Sequence, residues 1–251
     1  MWTTNEIQEA TRSSIEALIR NEIPGVRVKE FAAAAERELF LKAILEHARR
    51  TSSISEVTRL GISQYQEGVC GSKALYFAGA KEANAEYQAV FAQSFDPLHR
   101  FISWLRDLGF DADICEEPGF GRYFAGNGKV RNGFSPIHVD FSPQDSPEWM
   151  VGTAVAQLAW NLYVQVPPTG GELLLWDRAW NPSDDVHQVP GNYFYRETVV
   201  NDATRLSVPV TEGEVIILNS RNFHAVADSR DRLAYGSFIS CFADGRLRLF
   251  S

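Results

Sequence analysis

The chain has 251 residues, of which 45% are hydrophobic and 22% charged, a composition typical of a globular protein with a sizeable apolar core. Its formal net charge of −8 argues against a nucleic-acid partner, because binding to phosphates depends on clustered Lys and Arg. No segment approaches the roughly 18 apolar residues of a membrane helix, and the polar start does not resemble a signal peptide. We therefore expect a cytoplasmic protein with a small-molecule partner, and the sequence leaves open whether it is a monomer or a homodimer.

The N-terminal part of the chain carries the pattern of amphipathic helices. Apolar residues recur there at helical spacing in three regions. The three regions are 4–23, 31–50 and 81–108. The last is predicted to be divided near Pro97, and the short run Val26–Val28 reads as extended. The segment 51–79 is ambiguous, although 62–66 alternates as a strand does.

Near Gly109 the composition changes to short β-rich runs separated by Gly, Pro and Asn, as in all-β sandwiches and barrels. The predicted strands are 121–124, 137–141, 157–165, 172–176, 206–209, 215–219 and 233–242. An aromatic-bearing stretch at about 179–203 is long enough to be an insertion. The expected fold class is α+β, mainly β. A helical layer over 1–112 would pack on a β core over 113–251 and would not be independent of it.

The predicted strand 137–141 carries the first candidates for a metal site. Successive side chains of a strand point to opposite faces, so His138 and Asp140 share one face and Val139 points away. Together with a distant histidine, such a pair makes the two-His-one-carboxylate triad that holds non-haem Fe(II) with three positions open. On its own an H-x-D pair is more typical of a surface histidine near an acid, so the rest of the chain decides the interpretation.

Five motifs of the chain stand in an order that is typical of one enzyme family. They are Arg122-Tyr123-Phe124-Ala125-Gly126, His138-Val139-Asp140, Leu162-Tyr163-Val164 with Gly170-Gly171-Glu172-Leu173, Pro209 with Glu212-Gly213-Glu214-Val215-Ile216-Ile217-Leu218, and His224-Ala225-Val226. This order resembles that of the Fe(II)/2-oxoglutarate dioxygenases, most closely their prolyl-hydroxylase-like branch. The resemblance covers about 118–242 and implies that the β core is a double-stranded β-helix, the cupin-like jelly roll.

The resemblance also implies a site. His138, Asp140 and His224 would bind Fe(II) and leave one face of the ion for 2-oxoglutarate and O₂. The far carboxylate of 2-oxoglutarate needs a planar, permanently charged donor, which favours arginine over lysine. Arg232, eight residues after His224, is where the family places this arginine. Arg230 is the competitor, because either face of the strand can present the side chain.

Several other side chains have a functional and a structural interpretation. By resemblance Tyr123 could donate to the same carboxylate, and a packed tyrosine is the alternative. His187 lies in the insertion, where it would contact substrate or be a solvated loop residue. His47 and His99 stand beside arginines in helical segments, which is typical of surface or capping histidines. Substrate contacts are expected on or just past predicted strands, at Trp160, Asn161, Trp176 and Asp177.

Within the superfamily, the chain resembles a group that acts on free amino acids and other small metabolites. Halogenating members of this group carry Gly or Ala at the position of Asp140, and chloride binds iron there. Because Asp140 is present, the resemblance implies hydroxylation of an unactivated C–H bond of a polar amino acid or a derivative, with release of succinate and CO₂. Two alternatives are desaturation, cyclisation or demethylation by the same iron chemistry, and a non-enzymatic jelly-roll binding module.

Overall fold

The structure, a computed structural model, describes residues 1–51, 57–65 and 72–251. In these ranges the longer helices precede residue 112, and most of the strands follow it. None of the described helices combines the length and the apolar character that crossing a membrane requires. The coarse fold class expected from the sequence, α+β and mainly β, is confirmed.

Among the described residues, four helices overlap the predicted regions, although they begin and end at different residues, and a fifth helix of one turn was not predicted. They are α1 (Arg12–Ile19), α2 (Ala34–Thr51), α3 (Lys73–Phe91), α4 (Pro97–Asp107) and the single-turn α5 (Ser142–Asp145). α1 starts later than predicted because Thr11 caps it. The Thr11 hydroxyl accepts from the Ser14 N–H at 3.1 Å, and the Ser14 hydroxyl accepts from the Thr11 N–H at 2.8 Å. The division near Pro97 is confirmed, since Asp96 caps a helix that begins with that proline.

The strands form two main sheets. They are β1 (Gln8–Glu9), β2 (Val26–Val28), β3 (Val57–Leu60), β4 (Ala112–Ile114), β5 (Glu116–Glu117), β6 (Gly121–Arg122), β7 (Asn127–Arg131), β8 (Ser135–His138), β9 (Ala156–Gln165), β10 (Leu173–Ala179), β11 (Arg205–Val208), β12 (Val215–Asn219), β13 (Asn222–Val226), β14 (Arg232–Cys241) and β15 (Leu247–Phe250). Within the described ranges, the large sheet follows the path β1-β2-β12-β9-β14-β15-β4, with β7 joined through β14 and β3 through β7. The small sheet has the order β11-β10-β13-β8, and β5 pairs with β6.

Strand β9 separates the two sides of the large sheet. Its side chains alternate, because neighbours in a strand point to opposite faces. Leu158, Trp160 and Leu162 belong to an apolar cluster that contains the helices. Ala159 and Tyr163 belong to a second cluster, shared with the small sheet. The large sheet thus packs against helices on one face and against the small sheet on the other, and the site lies on the second side.

A stacked aromatic pair joins α4 to β9. The rings of Phe101 and Trp160 are both fully buried, with centroids 4.2 Å apart and planes 9° from parallel. The Trp160 indole N–H donates to the Ser237 hydroxyl at 2.8 Å and so fixes the ring on the sheet. Next to the pair, Arg100 binds the Glu36 carboxylate with donor–acceptor distances of 2.6 and 2.9 Å. The aromatic pair thus joins a helix to the large sheet, and the ion pair joins α4 to α2, while the dependence of the helical layer on the β core stays a prediction.

The structure resolves the ambiguous segment and contains strands that were not predicted, β7 and β13 among them. The stretch 62–66 alternates as a strand does, but the strand of this segment is β3, and Gly61 at φ +113° turns the chain after it. Residue 66 itself lies outside the described residues. Strand β7 was not predicted, because its Asn-Gly start is typical of a turn. It forms a strand because Gly128 lets α2 approach closely: a Cβ there would lie 2.7 Å from Ile44 Cδ1.

We predict that Phe101→Ala lowers the free energy of unfolding of the whole chain by about 3–5 kcal/mol, since it leaves a buried void beneath Trp160. Urea titration should still show one transition by both circular dichroism and tryptophan fluorescence. The control is Phe134→Ala, because Phe134 is 64% exposed and its loss should change stability by only about 0.5 kcal/mol. Separate transitions for helices and strands would contradict a shared core.

Candidate metal centre

The pairing of β8 with β13 brings two histidines together. His138 and His224 are direct partners in this antiparallel ladder, so their side chains lie on the same face, with ring centroids 4.2 Å apart. Asp140 follows β8, and its Oδ2 lies 3.3 Å from His224 Nε2 and 3.8 Å from His138 Nε2. Three ligand atoms placed at about 2.1 Å from one ion in a facial arrangement are about 3 Å apart. The three side chains can therefore hold a single metal ion.

Backbone carbonyls orient both imidazoles. His138 Nδ1 lies 2.8 Å from the carbonyl oxygen of Pro136, and His224 Nδ1 lies 2.9 Å from that of Asn222. A carbonyl oxygen only accepts, so each Nδ1 carries the proton and donates it. Each Nε2 then presents its lone pair to the space beside Asp140, which is the tautomer that a metal ligand needs.

Asp140 lies outside β8, and hydrogen bonds of its backbone groups hold it in place. β8 ends at His138, whereas the sequence predicted a strand as far as residue 141. The Asp140 N–H donates to the Ser220 carbonyl at 2.9 Å. The Asp140 carbonyl accepts from the Ser220 hydroxyl at 2.8 Å and from Gln157 Nε2 at 3.0 Å. These bonds keep the carboxylate on the histidine side, and Val139 packs in the apolar cluster on the opposite face.

The charges of the three groups match those of metal ligands. Burial and the neighbouring His224 lower the pKa of His138 to about 3, so this imidazole is neutral at pH 7. Burial alone would raise the pKa of Asp140, but the two imidazoles outweigh it and the pKa is lowered. A neutral imidazole and a charged carboxylate are the forms that bind a divalent ion, so binding would not require these two groups to lose a proton.

An inner cavity, which we define by His138, Asp140, His224, Tyr163 and Arg232, lies between the two sheets. Arg232 is only 5% exposed, and its guanidinium carbon lies 5.1 Å from the centre of the Tyr163 ring. Within the described ranges, Arg232 Nε and the Tyr163 hydroxyl are buried without a hydrogen-bond partner. Buried polar groups of this kind are rare unless a ligand or water completes them. The arrangement fits a small anion that reaches from the metal site to Arg232.

The structure separates the two arginines that the sequence left in competition. Arg232 begins β14 and points into the inner cavity, whereas Arg230 is exposed in the turn that precedes this strand. Between them Asp231 has φ +55°, so the backbone turns before the strand starts. Of the two arginines, Arg232 is therefore the one that can contact a small molecule bound beside the triad.

Tyr123 does not reach the inner cavity. It is fully buried among the aromatic rings on the helical side, and its hydroxyl donates to the buried Glu117 carboxylate. The expectation that it contacts 2-oxoglutarate is therefore corrected, and the packed interpretation fits. Tyr163 occupies the inner cavity instead. The strand alternation of β9 could have indicated it, because Tyr163 points to the face opposite to Leu162.

The residues predicted to contact substrate are dispersed. Asn161 borders the inner cavity. The Trp160 ring lies on the helical side, so its place is in the core. Trp176 packs in the cluster on the outer face of the small sheet. Asp177 accepts from the Trp2 N–H at 3.0 and 3.1 Å and so anchors the start of the chain. His187 is half-buried, with Nδ1 3.0 Å from the Thr198 hydroxyl, and does not border the inner cavity.

An outer cavity, which we define by Lys129, Arg131, Gln144, Asp145 and Tyr193, opens on the other side of the triad. His138 and Asp140 border both cavities, so the metal position lies where they meet. Burial and the charge of Asp140 raise the pKa of Asp145 to about 7. Four of these five residues were missed, because β7 was not predicted and α5 is a single turn, whereas Tyr193 lies in the aromatic-bearing insertion that the sequence indicated.

Comparison with known proteins gives a family model that matches nearly the whole chain and relatives that match parts of it. The sequence model of the family "carrier-protein-independent halogenase WelO5" matches residues 3–250. The chain is 28% identical over 192 residues to leucinostatins biosynthesis cluster protein S of Purpureocillium lilacinum, which covers 72% of this chain and 77% of that protein. It is 31% identical over 100 residues to the L-gamma-glutamyl-L-propargylglycine hydroxylase of Streptantibioticus cattleyicolor, or 39% of this chain and 37% of that protein.

Solved structures support the fold. An N-substituted L-amino acid dioxygenase from Burkholderia ambifaria superposes with a TM-score of 0.65 at 18% identity, covering 96% of this chain and 91% of that one. At this identity the likeness speaks for a shared jelly-roll architecture and not for a shared substrate.

We predict that His138→Ala, Asp140→Ala and His224→Ala each abolish stoichiometric binding of Fe(II), because each removes one ligand, while the apolar clusters keep the fold. Anaerobic equilibrium dialysis followed by metal analysis measures the binding, and circular dichroism checks the fold. His99→Ala is the matched control, since His99 is exposed on α4. Full Fe(II) occupancy in the His224 variant would exclude this triad.

Proposed function

The chain belongs to the family of the carrier-protein-independent halogenase WelO5, and from that membership we propose that it hydroxylates a free amino acid or an amino-acid derivative at an unactivated C–H bond. Its enzyme class is that of the Fe(II)- and 2-oxoglutarate-dependent oxygenases. The observation that carries the choice of hydroxylation is the Asp140 carboxylate beside the two imidazoles.

The residues present fit both cofactors. His138, Asp140 and His224 would hold Fe(II) through two imidazole nitrogens and one carboxylate oxygen. When bound, Fe(II) and 2-oxoglutarate supply the O₂-dependent oxidation of a C–H bond, with release of succinate and CO₂. The chain's own task is to hold these groups in place and to keep bulk water away, and the burial of the inner cavity serves both purposes.

Arg232 and Tyr163 would bind the far carboxylate of 2-oxoglutarate. Their Nε and hydroxyl groups are buried without a partner, and a carboxylate bound there could accept a hydrogen bond from each. Gly171 leaves room for the arginine: a Cβ at this position would lie 3.1 Å from Arg232 Cδ, and its φ of +77° also favours glycine. A keto acid held at Arg232 would extend through the inner cavity towards the triad.

Asp140 supports hydroxylation over halogenation. In halogenating relatives a Gly or Ala leaves a coordination position of the iron open for chloride. In this chain the carboxylate is fixed at that position by the Ser220 and Gln157 bonds to its backbone. A halide would have to displace a charged ligand, so the oxygenated product is favoured.

The outer cavity supports a small polar substrate. Its border combines two basic side chains, Lys129 and Arg131, with the acid Asp145 and the amide Gln144. The relative from Streptantibioticus cattleyicolor is named as a hydroxylase of an amino-acid derivative, and we extend that class of substrate to this chain. Because His138 and Asp140 border the same cavity, a substrate bound there would present a C–H bond to the metal position.

We predict that Arg232→Gln raises the 2-oxoglutarate concentration needed for half-saturation by about tenfold to hundredfold, because a buried carboxylate loses its charged donor. Arg230→Gln should change it by less than about twofold, because an exposed charge contributes little. Anaerobic titration of the Fe(II) protein, followed by its visible absorption, measures both values. The opposite ranking of the two variants would show that Arg230, and not Arg232, binds 2-oxoglutarate.

The proposed function predicts two results for the unmodified protein. Anaerobic addition of Fe(II) and 2-oxoglutarate should produce a visible charge-transfer band, whereas a non-enzymatic binding module would show none. On admission of O₂ with a panel of amino acids, succinate should form, and mass spectrometry should find a product heavier by one oxygen atom even in high chloride. A product with the isotope pattern of chlorine would refute the assignment of Asp140 as an iron ligand.

A further inference from the structure

A buried side chain joins α5 to the metal site. Gln157 is 1% exposed, and its Nε2 donates to the Asp140 carbonyl at 3.0 Å. Its Oε1 accepts from the N–H of Ser142, the first residue of α5, at 2.9 Å. One amide therefore ties the iron ligand and the short helix to the same point of β9. The side chains of α5 are consequently held at a defined place beside the metal position.

The side chains that α5 presents to the outer cavity are hydrogen-bond acceptors. Gln144 Oε1 is buried and has no hydrogen-bond partner among the described residues. Within the same ranges, Asp145 forms no ion pair with a Lys or Arg. A buried acceptor and a half-buried carboxylate are costly unless a donor or a cation meets them. They are thus suited to a ligand that carries a positively charged N–H group.

Asp185, another acid near the site, already accepts hydrogen bonds from neighbouring side chains. Asp185 accepts from the Trp180 indole N–H at 2.9 Å and from the Tyr195 hydroxyl at 3.4 Å. These bonds hold its carboxylate on the insertion. Asp145, on α5, is the acid that borders the outer cavity together with the iron ligands. Asp145, and not Asp185, is therefore the acid that a ligand in the outer cavity would contact.

Basic side chains come to the same cavity from the large sheet. Lys129 and Arg131 are two residues apart on β7 and so share one face, and both border the outer cavity. Lys129 lies near the triad, where its charge acts on both His138 and Asp140. Arg232, the proposed partner of 2-oxoglutarate, borders the inner cavity and not the outer one. Lys129 and Arg131 also border the inner cavity, so these two basic groups lie where the two cavities meet.

We propose that the outer cavity recognises the zwitterion of a free α-amino acid, with Gln144 and Asp145 accepting from its ammonium group and Lys129 binding its carboxylate. This inference rests on the proposed function and adds the residues that select the substrate. An α-amino acid carries the two charges on one carbon, and the cavity offers acceptors from α5 and a cation from β7. The remaining substituent of that carbon would extend towards His138 and Asp140, which places the oxidised C–H bond on the side chain.

Binding to the anaerobic complex with Fe(II) and 2-oxoglutarate tests the proposal without turnover. Three equimolar mixtures serve as probes: the proteinogenic L-amino acids, their N-acetyl derivatives and their α-carboxamides. Equilibrium dialysis with mass spectrometry measures which compounds the complex retains. At least one free amino acid should be retained, and its N-acetyl and carboxamide forms should each bind about tenfold more weakly or worse, because each lacks one charged contact.

Matched variants assign the contacts. Asp145→Asn and Gln144→Leu should weaken retention of the free amino acid by about tenfold or more, and Lys129→Met should weaken it similarly. The controls are Asp202→Asn and Lys81→Met, which change the same residue types at exposed positions and should leave retention unchanged. The charge-transfer band should persist in all five variants, which shows that each one still folds and binds 2-oxoglutarate.

The outcomes separate the two proposals. Absence of the band in the unmodified protein overturns the proposed function and this inference with it. A normal band without retention of any free amino acid overturns only the inference. Equal retention of the N-acetyl or carboxamide forms, or unchanged retention in the Asp145 and Lys129 variants, overturns it as well.

Discussion

The pairing of β8 with β13 is the constraint on which the candidate site depends. The antiparallel register makes His138 and His224 direct partners, and the pleat turns both side chains to one face. The carbonyls of Pro136 and Asn222 then fix both imidazoles as Nδ1–H tautomers. A shift of this register by one residue would turn one histidine to the opposite face and remove the metal site. The ligands are therefore specified by backbone pairing before any metal binds.

Gln157 connects the metal site to the outer cavity. Its amide bonds to both the Asp140 carbonyl and the N–H of Ser142, so Asp140 and α5 share one support on the large sheet. On the other side of the triad, Arg232 enters from β14 of the same sheet. The large sheet thus supports the proposed cofactor site and the proposed substrate site, and the small sheet supplies the two histidines. Chemistry at such a site needs this fixed relation between the two cavities.

The sequence predicted the parts of the structure that depend on local pattern. Helical periodicity located the long helices, and the division near Pro97 followed from the chemistry of proline. The order of motifs indicated the family, and the comparisons confirm it. His138, Asp140 and His224, named from the sequence, lie together in the structure, although nothing yet measures their role.

The parts that were missed depend on tertiary context. Tyr123 and Tyr163 both stand in β-rich motifs. Alternation along β9 separates Tyr163 from Leu162, but the packing of the sheets decides which face of β9 borders the inner cavity. The Asn-Gly start of β7 is typical of a turn, and the structure shows instead that Gly128 packs closely against α2. The acceptors of α5 could not be found because one helical turn has no periodicity to detect. Residues that read a substrate are commonly of this kind, since they lie on short segments positioned by the rest of the fold.

In the proposed site one ion binds between His138, Asp140 and His224, with a keto acid extending to Arg232. Crystals grown anaerobically with Fe(II) and 2-oxoglutarate and measured at the iron absorption edge would locate both groups. We expect one anomalous peak at about 2.1 Å from both Nε2 atoms and a carboxylate oxygen of Asp140, with the far carboxylate of 2-oxoglutarate at Arg232 and Tyr163. A peak elsewhere, or a keto acid bound away from Arg232, would contradict the proposed site.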